Sequence, residues 1–177
     1  MNFTKTNTMN KSSRFLATAA AAVALFFSTN VNAQSSPKFG IGLNIGAPTN
    51  NNYGLAIGGD LRYQFDIDKQ LSIPLTTGYT RFLAKDATFY NPDRAYVPAK
   101  IGLKYFFNDT GSGVYGLAEA GVAIGVGTYT NTDFLYAPAI GYAWSNGLDL
   151  AAKYEGFNDG AISTGYFGLR LAYGFKL

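Results

Sequence analysis

The chain has no cysteine and no histidine among its 177 residues, and only 14% of them are charged. Without cysteine there are no disulfides, no thiolate metal sites and no lipid-bearing residue behind an export leader. Without histidine the Ser–His and Cys–His nucleophile systems are unavailable. Long apolar runs are equally scarce. No segment after the N-terminal region approaches the ~20 apolar residues that a helix needs to cross a bilayer. The low charge also leaves too few Lys and Glu to coat a water-facing exterior. What the chain does have is aromatic side chains (16%), 21 glycines and a strict alternation of large and small residues.

The first 33 residues read as an export signal. Lys5, Lys11 and Arg14 make a positive start, Phe15 to Phe27 is apolar and rich in Ala, and Val31-Asn32-Ala33 offers a small-residue cleavage site. One domain, residues 34–177, is expected to follow. The leader takes three of the fourteen cations and none of the eleven acids, which leaves eleven of each sign. The basic pI therefore belongs to the leader, and nucleic acid is not an expected partner.

Eight alternating segments come after it, and alternation is the strand period. The last is the clearest: Phe167, Leu169, Leu171, Tyr173, Phe175 and Leu177 lie on one face, with Gly168, Arg170, Ala172, Gly174 and Lys176 on the other. The first sets Phe39, Ile41, Leu43 and Ile45 against Gly40, Gly42, Asn44 and Gly46. The second sets Leu55, Ile57, Leu61, Tyr63 and Phe65 against Ala56, Gly58, Asp60, Arg62 and Gln64. The third has Ile73, Leu75 and Tyr79 opposite Ser72, Thr76 and Gly78. The fourth has Val97, Ile101, Leu103, Tyr105 and Phe107 opposite Lys100, Gly102 and Lys104. The fifth, Val114 to Val126, is apolar on both faces. Placing Val114, Ala118, Ala120, Val122 and Ile124 outward turns Glu119 inward, because a carboxylate in hydrocarbon costs on the order of 2 kcal/mol. The sixth sets Tyr136, Ile140, Tyr142 and Trp144 against Ala137, Ala139, Gly141 and Ala143. The seventh sets Leu148, Leu150, Ala152 and Tyr154 against Asp149, Ala151, Lys153 and Glu155.

Turn-rich stretches at Asp66 to Gln70, Asn108 to Ser112 and Ser145-Asn146-Gly147 alternate with connections at Pro48 to Tyr53, Ala84 to Arg94, Gly127 to Thr132 and Asn158 to Ile162. Asn-Gly is a hairpin signal because both residues accept positive φ. With an even strand count both ends face the periplasm, so the second set of connections is expected outside. Aromatic residues gather at segment ends. Tyr63, Phe65, Tyr105, Phe107, Tyr142, Trp144, Tyr173 and Phe175 mark one rim, and Tyr53, Tyr79, Tyr96, Phe134, Tyr136, Tyr154 and Tyr166 the other. Two such belts around an aliphatic waist match the two water–lipid interfaces.

Alternation alone is symmetric, so a soluble lipocalin-like periplasmic carrier, apolar inside, is the competing fold. Volume argues against it: eight strands with four or five large side chains each would overfill an eight-stranded interior. The expected fold is an all-β, eight-stranded antiparallel up-and-down transmembrane barrel. Its lumen then collects Asp60, Arg62, Lys100, Lys104, Glu119, Asp149, Lys153, Glu155, Arg170 and Lys176. Buried charges need partners. They are expected to form a salt-bridged plug centred on Glu119 and Arg170; a hydrated ion path lined by the same residues is the alternative. The longest outer connection offers Lys85, Phe89, Tyr90 and Arg94 for contact with a surface partner or lipopolysaccharide. Asp66 and Asp68 fit hairpin chemistry better than a cation site, and neither a metal nor a cofactor is expected.

Three stretches resemble the small outer-membrane β-barrel proteins of Gram-negative bacteria, the OmpA-, OmpX- and OmpW-like group with its generic outer-membrane barrel domains. They are Tyr96 to Phe107, Tyr115 to Gly121 and the closing strand, and the likeness covers Lys38 to Leu177. The resemblance implies residence in the cell outer membrane, lipid and lipopolysaccharide as surroundings, and insertion by the outer-membrane assembly machinery. Barrel acyltransferases, deacylases and proteases of that membrane generally depend on a His. With no His in the chain, a non-catalytic structural or surface-interaction role is expected, with a narrow porin-like passage for ions or small hydrophobic molecules as the alternative.

Overall fold

The computed structural model describes residues 37–86, 92–127, 130–158 and 163–176. The export signal lies outside the described residues. Eight strands follow one another: β1 Lys38–Pro48, β2 Tyr53–Asp66, β3 Leu71–Ala84, β4 Arg94–Phe106, β5 Gly113–Val126, β6 Thr132–Ala143, β7 Leu148–Asn158 and β8 Ser163–Lys176. Each pairs antiparallel with its neighbours, and β8 returns to β1 from Lys38↔Lys176 to Pro48↔Tyr166, so the sheet closes. Closure removes the unpaired edges that hydrocarbon would penalise.

The large apolar residues face out, as alternation requires. Leu43 is 67% exposed, and Leu61, Leu103, Ile140 and Leu169 share its face. The charges face in: Asp60, Arg62, Lys100, Lys104, Glu119, Asp149, Lys153, Glu155 and Arg170 are all buried. A soluble carrier needs the reverse, so the lipocalin-like reading is overturned. In β5, Val114, Ala118, Ala120 and Ile124 are exposed while Glu119 is buried between Leu117 and Gly121, the phase that the cost of a carboxylate in lipid dictates.

At the end of the barrel where β1 begins and β8 ends, same-face aromatics two residues apart pack as pairs. These are Tyr63–Phe65, Tyr105–Phe107, Tyr142–Trp144 and Tyr173–Phe175, with ring centroids 4.7–6.0 Å apart. The opposite belt differs from expectation. Tyr79, Phe134, Tyr136 and Tyr154 face outward or sit half-buried, whereas Tyr53, Tyr96 and Tyr166 are buried inside. Tyr96 and Tyr166 have the phase of Lys100 and Arg170, so their period already pointed inward. Tyr53 is turned in by a register shift between Tyr53 and Leu55, which places Gly54 as the extra residue of a bulge.

The Ser145-Asn146-Gly147 hairpin also departs from its expected form. Only Gly147 has positive φ (97°), and Asn146 does not. Trp144 O accepts the Gly147 N–H at 3.1 Å and Leu148 O accepts the Trp144 N–H at 2.8 Å. This is the three-residue loop in which a type I turn is followed by a left-handed glycine. Asn146 contributes through its side chain instead, accepting the Leu148 N–H at 3.1 Å.

Candidate functional site

The lumen is where the chain concentrates its chemistry, and the backbone explains why the charges can meet. Opposite the lumen charges stand small residues: Asp60 pairs with Gly42 and Gly78, Glu119 with Gly102 and Ala137, Lys153 with Ala139 and Gly168, and Arg170 with Asn44 and Ala151. Long charged side chains therefore reach past their immediate neighbours to partners on other strands.

Four groups of contacts result. Nearest the start of β1, Lys38 Nζ lies 2.6 Å from Asp66, which also accepts from Gln64 and Ser72. Above it, Lys104 Nζ lies 2.8 Å from Asp149 and 3.8 Å from the Tyr115 ring centroid, and the Tyr115 hydroxyl donates to Asp149 at 2.6 Å. Next, Arg170 grips Asp60 with Nη2 and Nε, at 2.6 Å and 2.9 Å, while Asn44 donates to the same carboxylate at 2.7 Å. Arg170 Nη1 reaches down to Asp149 at 3.5 Å. In the fourth group, Glu119 receives Arg62 Nη2 at 3.3 Å, the Thr76 hydroxyl at 2.5 Å and Lys100 at 3.5 Å. Lys100 lies 2.6 Å from Glu155, which also accepts from Lys153 at 3.3 Å and from Tyr96 at 2.7 Å.

The expected centre of the network is corrected by these distances. Glu119 makes its ion pairs with Arg62 and Lys100, and Arg170 makes its own with Asp60 and Asp149. Strands in a barrel are sheared against one another, so residues at mid-strand in two sequences need not meet. Glu155, not Glu119, is the most enclosed carboxylate, at 0% exposure. Of the ten residues expected inside, nine, Asp60, Arg62, Lys100, Lys104, Glu119, Asp149, Lys153, Glu155 and Arg170, are buried and make ion pairs. Lys176, also expected inside, has a side chain that lies outside the description.

Sequence reasoning missed the uncharged members. Asn44, Thr76, Tyr96 and Tyr115 each satisfy a carboxylate. Beyond Glu155, away from the start of β1, the interior turns aromatic: Phe82 packs against Tyr53, Tyr96, Phe157 and Tyr166 with centroids 5.6–5.9 Å apart. Strand phase was the signal for four of these five rings. Asn44 Oδ1 is the buried side-chain acceptor that meets no donor among the described residues.

The outer-connection residues are less gathered. Lys85 follows β3 and is exposed, and Arg94 opens β4 and is exposed. Phe89 and Tyr90 lie outside the described residues. Between them in sequence from Lys85 to Arg94, Asp93 accepts from the Ala84 N–H at 2.8 Å and from Arg81 Nη2 at 2.8 Å, which ties the two strand ends together. In the opposite turns, Asp68 accepts the Gln70 and Leu71 N–H groups, both at 2.7 Å. That is turn chemistry, and among the described residues no group of three or more Asp or Glu could hold a metal ion.

Solved structures share this architecture. The chain superposes on Ail, the attachment invasion locus protein of Yersinia pestis, with a TM-score of 0.57 at 16% identity, over 80% of this chain and 99% of that one. The N-terminal β-barrel domain of Pseudomonas aeruginosa OprF gives 0.56 at 14% identity, over 80% and 100%. The outer membrane enzyme PagL gives 0.58 at 14% identity, over 76% and 98%. At such identities the likeness is one of fold. No curated protein matches the sequence. The sequence model of the Outer membrane protein beta-barrel domain matches residues 19–175, and with a closed eight-stranded barrel that is greasy outside and charged within, the chain belongs to that family of outer-membrane proteins.

Proposed function

We propose that this barrel is a non-catalytic structural or surface-interaction protein of the outer membrane whose lumen is sealed. The observation that carries the reading is the charged and aromatic filling of the interior among the described residues. Nine charged side chains are buried and held in ion pairs, and an aromatic layer lies beyond them. The cavity among the charges has a volume of about 10 Å³, room for one water and not for a file of them. A sequence without His or Cys also lacks the Ser–His and Cys–His nucleophile systems. The exposed cations Lys85 and Arg94, beside the Arg81–Asp93 pair, suit contact with the phosphates of lipopolysaccharide. The assembly machinery of the outer membrane is the partner expected during insertion.

Planar-bilayer recording of the refolded barrel tests the seal. Insertion without conductance steps supports it. Stable, reproducible steps overturn it and favour the narrow passage.

A further inference from the structure

The seam between β3 and β4 is short of backbone hydrogen bonds. Gln70 O accepts the Phe106 N–H at 2.8 Å, which makes the even-numbered residues of both strands the ones that bond across this seam. Pro74 and Pro98 are both even, and a proline has no N–H to give. The register sets Pro74 opposite Gly102 and Pro98 opposite Gly78, and the pairing is interrupted at both rows. The Gly102 and Gly78 carbonyls thus lose their ladder donors, on either side of the intact Thr76↔Lys100 row. Prolines in sheets are normally confined to edges, and a closed barrel has none. Among the described residues β6–β7 has one such gap, at Pro138, and β3–β4 has two.

The lumen supplies what the backbone omits. Glu119 stands on β5, and its side chain lies over Gly102 of β4, where a Cβ would be 2.7 Å from Glu119 Cγ. Its carboxylate accepts from the Thr76 hydroxyl of β3 at 2.5 Å. Arg62 reaches the same point from β2, with Nε 3.0 Å from Thr76 Oγ1 and Nη2 3.3 Å from Glu119. Lys100, the β4 half of the intact row, lies 3.5 Å from the same carboxylate. All four side chains are buried, where such bonds are strengthened by the low dielectric. One carboxylate therefore ties β2 and β3 to β4 and β5, at the row between the two gaps.

We propose that β3 and β4 form a latched seam. The two prolines weaken it, the Thr76–Glu119–Arg62 contact holds it shut, and the barrel parts along it before it parts at the β1–β8 closure. That closure has a continuous ladder from Lys38↔Lys176 to Pro48↔Tyr166, and the Arg170–Asp60 pair spans it as well. Parting at β3–β4 opens the lumen sideways, toward the bilayer. It is separate from the end-to-end passage that conductance reads.

Amide hydrogen exchange on the barrel refolded in lipid nanodiscs tests the latch. The Thr76 and Lys100 amides should exchange about tenfold faster than amides bonded across the middle of β1–β8, the factor expected for one hydrogen bond. Thr76→Val leaves Glu119 its two cations, so the barrel still folds. It should speed the amides at positions 76 and 100 by a further factor of about ten and leave β1–β8 as it was. Pro98→Ala returns a donor to the Gly78 carbonyl and should slow both amides. Leu75→Cys with Ile101→Cys places a disulfide at a row whose close spacing suits one, and its oxidation should restore slow exchange in the Thr76→Val background. Equal wild-type rates at the two seams overturn the proposal. So does a Thr76→Val effect shared by β1–β8, or exchange that neither Pro98→Ala nor the cross-link slows.

Discussion

Arg170 and Asp60 meet as a two-point pair across β1, with Nη2 2.6 Å from Oδ1 and Nε 2.9 Å from Oδ2. The two residues are 110 positions apart in sequence and stand on β8 and β2, the strands on either side of β1. Their pairing thus spans the seam at which the barrel closes. Removing one partner strands the other charge in the lumen, which costs about 3–5 kcal/mol, whereas replacing both by apolar residues is often close to neutral. Asp60→Ala should therefore lower the unfolding free energy by about that amount in denaturant titrations in lipid vesicles. Asp60→Leu with Arg170→Met should recover most of it. A single-mutant loss under about 1 kcal/mol would mean that water reaches the pair.

Gly42 makes this pairing possible. It sits on β1 between the two residues, and a Cβ there would lie 2.8 Å from Arg170 Nη2 and 2.9 Å from Asp60 Oδ1. Both atoms are at the ends of side chains, so Gly42→Ala should be absorbed by a small shift. Gly42→Leu cannot be, and overpacking of this kind costs about 1–3 kcal/mol. The effect should vanish in the Asp60→Leu, Arg170→Met background if the clash is with the pair. An equal cost in both backgrounds would place the clash with the backbone.

Much of this arrangement was legible in the sequence, and the failures have separate physical causes. Phase placed Glu119, Lys153 and Arg170 inside, because a two-residue period leaves only two choices and lipid excludes one of them. It failed at Tyr53, where one inserted glycine reverses the phase. Tyr96 and Tyr166 stand near strand ends, where an aromatic suggests a lipid interface, but their phase turns them inward. Partners were not legible at all. Asn44 faces Arg170 on one side while Gly42 faces Asp60 on the other, an offset fixed by the shear of the closed sheet and carried by no single strand.

The lipid face makes its own prediction. Leu43 lies in the middle of β1, opposite Gly59 and Leu171, and points away from the lumen. An arginine at the mid-plane of a bilayer costs a barrel about 2–4 kcal/mol, but only about 0–1 kcal/mol near an interface. Leu43→Arg should therefore be strongly destabilising in vesicles, and Tyr105→Arg, at the aromatic rim by the start of β1, nearly silent. Equal effects at the two positions would contradict the depth assigned to them.

The last prediction concerns Asp93, which lies outside the membrane-spanning strands. The Ala84 N–H above all, with the Arg81 guanidinium, holds its carboxyl below the usual aspartate value against the opposing effect of burial. A depressed carboxyl contributes stability above its unfolded pKa of about 3.9 and loses it as pH falls through the folded value. The clasp between the ends of β3 and β4 should thus be intact at neutral pH and open only in more acidic solution. The Ala84 amide resonance reports the titration directly, and its midpoint should lie below about 3.9. Arg81→Ala should raise that midpoint without restoring the ordinary value, because the amide remains a donor. Asp93→Asn should abolish the titration. A wild-type midpoint at or above the ordinary value would show that the clasp does not form in solution.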